Sequence, residues 1–94
     1  MGILDRLRRK KGPTDAERRA HLRATGRITE GVILESEEQG SDEVVYYLYT
    51  LNGVDFESSD ILTDEQRAEP VRYAPGAKVG IRYDQRNQGN SIVE

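Results

Sequence analysis

The sequence has no cysteine, no tryptophan, a single histidine, three prolines and no apolar run long enough to cross a bilayer. Each shortage excludes something. Without cysteine there is no disulfide framework, thiolate zinc cluster or thiol nucleophile. That usage fits a reducing compartment, and a cytoplasmic location is the expectation. A membrane-spanning helix needs about 18 or more apolar residues in a row, and the apolar core of a signal peptide is equally missing. His21 has no second imidazole or cysteine near it, so a solvent-facing histidine is the better reading than a metal ligand.

Catalytic signatures are also lacking. Ser58-Ser59-Asp60 has no Gly-x-Ser-x-Gly elbow and no base, so its serines read as surface strand residues. Glu35, Glu37, Glu38, Asp42 and Glu43 lack the spacing of a calcium loop and read as a solvated acidic stretch. No glycine-rich phosphate cradle occurs. The chain is therefore expected to be no enzyme, with no catalytic residue, metal, cofactor or small-molecule substrate.

What remains is 94 residues, 33% of them charged and 35% hydrophobic. Arginine outnumbers lysine 11 to 3, a faint sign of a GC-rich bacterial genome. The net charge of −3 conceals a division. Residues 1–27 carry nine basic and three acidic side chains, a balance of +6. Residues 28–94 carry five and fourteen, a balance of −9. Two segments of opposite sign call for separate readings: a basic helical segment over 1–25 and a β domain over 26–94.

In the first segment, Ile3, Leu4 and Leu7 share a helical stripe, with Arg6, Arg8, Arg9, Lys10 and Lys11 around the rest. A helix this short is marginal alone in water. These eight residues are the candidate contact with an anionic membrane or another anion. Gly12-Pro13 breaks the pattern. Thr14-x-x-Glu17 is a capping box, opening a helix to about Thr25 with Gly26 as its left-handed stop.

After Gly26 the period changes from helical to two. Arg27–Glu38 reads as a strand with Ile28, Val32 and Leu34 on one side and a bulge at Gly31. A polar loop over residues 39–43 leads to the Val44–Leu51 strand, rich in β-branched and aromatic residues. Asn52-Gly53 is a type I′ hairpin signal, since both residues tolerate positive φ. It pairs Leu51 with Val54, Tyr49 with Phe56 and Tyr47 with Ser58. One face then holds Val45, Tyr47, Tyr49, Leu51, Val54 and Phe56, and should point inward. Val44, Tyr46 and Leu48 lie on the other, too apolar to be left bare. They form the candidate contact patch, unless the 14–25 helix covers them, which is the reading slightly preferred.

Thr63-x-x-Gln66 caps a single helical turn ended by Pro70. Lys78–Asp84 alternates, with Val79, Ile81 and Tyr83 inward, and Ser91–Glu94 is a last short strand. The expected fold class is mostly β, α+β by count. Its form is a small five-stranded antiparallel barrel, SH3-like or OB-like, behind one or two N-terminal helices.

The order Gly31-Val32, Tyr47-x-Tyr49-x-Leu51-Asn52-Gly53-x-x-Phe56, then Gly76-x-x-Val79-x-Ile81-x-Tyr83-Asp84-x-x-Asn87 resembles a bacterial family of uncharacterised small β domains. Its members carry a Tyr-rich hairpin and end in a Val-x-Val-x-Tyr-Asp-Pro-x-Asn-Pro strand and turn. Gln85 and Gln88 stand here where that family has proline. The resemblance implies the β fold and no particular activity.

Three functions follow as expectations. First is a non-enzymatic interaction module, binding a protein partner or a second copy of itself. The alternative is peripheral attachment through residues 1–11 to the inner membrane face. Nucleic-acid binding by the same basic segment comes last, because the acidic β domain would repel phosphate.

Overall fold

A computed structural model describes residues 14–94. The amphipathic stripe of residues 3–11 and the break at Gly12-Pro13 lie outside the described residues. Helix α1 (Asp15–Thr25) starts on the capping box read from the sequence. Thr14 Oγ1 accepts from the Glu17 amide at 3.1 Å, and Glu17 Oε1 accepts from the Thr14 amide at 2.9 Å. Its C-terminal end corrects the expectation: Gly26 is extended, at φ −74° and ψ 162°, and not left-handed. Proximity explains the glycine. A Cβ there would lie 2.6 Å from the Leu22 carbonyl oxygen and 3.0 Å from that of Tyr83.

Five antiparallel strands follow: β1 (Arg27–Gln39), β2 (Asp42–Leu51), β3 (Val54–Ile61), β4 (Lys78–Tyr83) and β5 (Ser91–Val93). Their order across the sheet is β3-β2-β1-β4-β5, and the sheet curls into a half-barrel. Between β3 and β4 lie the one-turn helix α2 (Asp64–Arg67), with the Thr63–Gln66 capping box in place, and a 3-10 turn over Pro70–Tyr73. The mostly β, five-stranded expectation holds at that level. Among the described residues no backbone ladder joins β3 to β5, whose three residues pair with β4.

Two tight turns set the first three strands. Asn52 and Gly53 have φ of 53° and 81°, the double positive that a type I′ bend requires. Leu51 pairs with Val54, Tyr49 with Phe56 and Tyr47 with Ser58, the register expected. The polar loop over residues 39–43 contracts to a bend at Gly40-Ser41, with Gly40 at φ 63°. Val45, Tyr47, Tyr49 and Leu51 are buried, while Val54 stays 54% exposed at the mouth of the half-barrel.

In β1 the side that carries Ile28, Val32 and Leu34 is the outer one. Ile28 and Leu34 are exposed and Val32 is half-buried, whereas Gly31 and Ile33 point into the core. The partner strand dictates this. Gly31 lies opposite Tyr49 and Ile33 opposite Tyr47, both inward residues of β2. The register shift falls between Ile33 and Glu35, which places the bulge at Leu34 and not at Gly31. Gly31 is in register with both neighbours, Tyr49 and Val79. It is small because a Cβ would come 2.6 Å from Ile81 Cγ1 and 2.8 Å from the Leu48 carbonyl oxygen.

Tyrosine dominates the core. The Tyr49 ring stacks on Phe56, Tyr47 and Tyr83, with centroids 5.4, 6.0 and 6.4 Å apart. Buried phenols need partners for their hydroxyls. Tyr47 shares a hydrogen with Ser91 Oγ at 2.7 Å, Tyr49 donates to the Gln88 carbonyl, and Tyr73 donates to that of Glu94 at 3.0 Å. Burial pushes the Tyr47 and Tyr49 phenols above their ordinary pKa.

Candidate interaction face

The strands present an outer surface whose rows can be read from the register. Lys78, Val32, Leu48 and Glu57 form one row, Glu35, Tyr46 and Ser59 the next, and Glu37, Val44 and Ile61 a third. Down the middle runs the apolar stripe of β2: Val44, Tyr46 and Leu48. Val44 is buried between its neighbours, and Tyr46 and Leu48 are half-buried. On the β1 side stand Glu30, Glu35 and Glu37, and on the β3 side Asp55 and Glu57, all exposed. Lys78 is the exposed cation of these rows. Leu34, 39% exposed, and Ile61, 47% exposed, extend the apolar area. A shallow depression of about 240 Å³ opens between Val32 and Leu48, with Glu30, Thr50 and Lys78 at its rim.

The electrostatics follow from this layout. The Tyr46 phenol is shifted to higher pKa, first by loss of hydration among its neighbours and then by the carboxylates of Glu37 and Glu35. Gln39 Nε2 donates to its hydroxyl at 3.4 Å. An apolar stripe between two acidic rails suits an apolar ligand edged with cations.

Helix α1 does not cover this stripe, contrary to the reading preferred from sequence. It packs on β4 and β5 and reaches β3 through Arg19. Leu22 there is fully buried, as is Ile92, and neither belongs to the main core. Arg82 fixes the seam by donating toward the Arg23 and Gly26 carbonyls, while its Nε donates to Glu94 at 2.7 Å. Ala16, Ala20 and Ala24 of the helix are exposed.

The helix also carries a group that sequence reading missed. Arg19 pairs with Asp60, whose side chain is 2% exposed, across the gap between β3 and β5. Asp60 lies opposite Val45 in the inward register. Its Oδ2 accepts from the Val93 amide and its Oδ1 from the Ile61 amide, each at 2.9 Å. A carboxylate thus closes the wall where no strand ladder does. Asp15 shares the same guanidinium, with its Oδ2 accepting from Arg19 Nε at 2.9 Å. Arg19 Nη1 is buried without an acceptor, so the pair is incompletely satisfied. The clue lay in the hairpin register, which puts residue 60 on the same side as Val45.

Other sequence candidates are dispersed. His21 is exposed on α1, and Ser58 and Ser59 point to opposite faces of β3. Among the described residues, no cluster of histidine, aspartate or glutamate could hold a metal. An open groove of about 700 Å³ runs beside Ile28, Val71, Lys78 and Gly80. Of its four charged residues, Glu94 pairs with Arg82 and Arg72 with Glu69, while Glu30 and Lys78 also line it. The candidate contacts Ile3, Leu4, Leu7, Arg6, Arg8, Arg9, Lys10 and Lys11 lie outside the described residues.

Residues 24–94 match the family described as Domain of unknown function (DUF3592). The chain belongs to that family. The DUF3592 match spans all five strands and begins at the last two residues of α1. No curated protein and no solved structure matches the chain. Among the described residues, no helix is long and apolar enough to cross a membrane.

Proposed function

We propose that this chain is a non-enzymatic interaction module whose outer β1–β2–β3 face binds a protein partner bearing cations beside apolar residues. One observation carries the reading: Tyr46 and Leu48 are incompletely covered and lie between Glu30, Glu35 and Glu37 on one side and Asp55 and Glu57 on the other. Exposed apolar area rimmed by polar groups marks contact surfaces. Face-to-face self-pairing would set these carboxylates against one another, so a basic protein fits better than a second copy. A phosphate backbone is repelled for the same reason. The strand order, with α2 and the 3-10 turn between β3 and β4, supports an OB-like over an SH3-like assignment. OB barrels bind along the face of their second and third strands, and here that face is acidic.

A photo-crosslinking amino acid at Ser59, on this face, tests the proposal in cells, with the same group at Asn87 as the control. A discrete adduct from position 59 that disappears with Glu35→Lys and Glu57→Lys is expected. No adduct, or equal adducts from both positions, refutes the reading.

A second reading is favoured by the composition of residues 1–11, where five cations surround Ile3, Leu4 and Leu7. Each basic residue near an anionic leaflet contributes on the order of 1 kcal/mol, which would hold a cytoplasmic chain at the inner membrane face. Co-sedimentation with anionic vesicles, with and without residues 1–12, decides it. Equal pelleting ends that reading.

A further inference from the structure

We infer that the outer face of β1–β2–β3 is a docking site for the chain's own basic N-terminal segment, residues 3–11. The inference rests on the proposal that this face takes cationic, apolar ligands, and names one occupant.

Charge complementarity is the first argument. Glu30, Glu35, Glu37, Asp55 and Glu57 offer five carboxylates beside the stripe, against the single cation Lys78. Residues 3–11 bring five cations, Arg6, Arg8, Arg9, Lys10 and Lys11, against one carboxylate, Asp5. Their apolar members Ile3, Leu4 and Leu7 match a stripe of Val44, Tyr46 and Leu48. The sizes agree: a nine-residue helix is about 14 Å long, and four residue steps along a strand cover about 13 Å.

The second argument is where the described chain starts. Asp15 and Asp60 share the Arg19 guanidinium, and Arg19 Nη2 also donates to the Ile61 carbonyl at 3.3 Å. Helix α1 therefore begins beside the end of β3. Ile61 is the outer-face neighbour of Val44. The chain preceding Thr14 would therefore approach from the Val44 end of the stripe, and with residues 3–11 docked as a helix Gly12 and Pro13 would supply a tether of about 7 Å. Tethering makes the encounter intramolecular, at an effective concentration on the order of millimolar. A free basic partner or an anionic membrane must then compete with the chain's own segment.

The absence of cysteine supplies the test. Gly2→Cys gives the full chain a unique thiol for a nitroxide spin label, and amide spectra report which residues lie near it. In about 0.1 M salt the amides of Tyr46, Leu48 and Glu35 should lose most of their intensity, while those of Asn87 and Gly89 keep theirs. At about 1 M salt, where the screening length falls to about 3 Å, the signals should return. They should also return in E35K/E37K/E57K, whose replaced side chains are all exposed. Unchanged intensities on the face, or a loss that persists in the triple variant, overturns the inference. A loss seen only between separately labelled molecules assigns the face to a second copy and overturns it equally. If the nitroxide has no effect while crosslinks from position 59 still form, intramolecular docking fails and the interaction module stands.

Discussion

Replacing Asp60 should open the half-barrel. Its carboxylate accepts from the amides of Val93 and Ile61 and pairs with Arg19, tying β3, β5 and α1 at one point. Truncation to alanine would leave the Val93 amide buried without a partner. It would also leave a guanidinium whose side chain is 13% exposed with only Asp15 as counter-charge. Removing one member of a buried pair typically costs about 3–5 kcal/mol, so Asp60→Ala should lose at least about 3. A domain of this size has roughly 5–10 kcal/mol in total. With a urea slope of about 1 kcal/mol/M, the unfolding midpoint should fall by about 3 M. Asp60→Asn keeps one acceptor but turns an amide donor toward other donors, and should lose about 1–3 kcal/mol. The double replacement Arg19→Met with Asp60→Leu removes both charges and should regain much of the loss, since buried pairs are often replaceable by apolar groups. Urea denaturation followed by circular dichroism gives these midpoints, together with those of Arg19→Met and Asp60→Leu alone, which complete the cycle. A loss below about 1 kcal/mol for Asp60→Ala, or single losses that simply add, would refute the idea that this pair closes the wall.

Gly31→Ala should destabilise by about 1–3 kcal/mol, because its Cβ would meet the Leu48 carbonyl oxygen at 2.8 Å and backbone yields little; thermal melting checks this. Tyr47 has its pKa raised above 10.0 by burial, so its contribution is intact below pH 10 and is lost as pH rises through the higher folded value. Tyrosinate absorbance at 295 nm should therefore show a late step coincident with unfolding. Tyr47→Phe should shrink that step, leaving the share of Tyr49, and cost about 1 kcal/mol through the orphaned Ser91 hydroxyl. Asp15 has its pKa lowered below 3.8, by hydrogen bonds first from Arg18 and then from Arg19. Its contribution is present above pH 3.8 and disappears as pH falls through the lower folded value, so Asp15→Asn should flatten the acid limb of stability. The carboxylate is exposed, so the change should be a few tenths of a kcal/mol.

The hairpin from Val44 to Ile61 could be read from sequence because Asn52-Gly53 leaves one geometry, and that geometry assigns every alternate side chain. The N-cap at Thr14 and the turn at Thr63 were legible for a similar reason, since both are local chemistry. β1 was not. Its apolar residues fall on both faces, and only the partner strand selects Ile33 over Leu34. Gly26 and Gly31 misled because glycine marks close approach as readily as a turn or a bulge, and the close neighbours, Tyr83 and Ile81, are remote in sequence. Of the contact patch, Val44, Tyr46 and Leu48 followed from alternation. The acidic rails became visible only when β1 and β3 were laid beside β2. The Arg19–Asp60 pair joins residues 41 apart, and no local pattern announces it.

The two short bends carry a consequence for how the chain assembles. β1 pairs with β2, and β2 with β3, through connections of two residues each. Closing such short loops is fast, and proteins rich in nearby pairings fold quickly. β4 must instead travel back to the far edge of β1 before β5 can be laid down beside it. The three-stranded meander is thus the natural nucleus. β5 and α1, which Asp60 ties to β3, arrive last, and a newly made chain would present its acidic rails before its final strand had found a place.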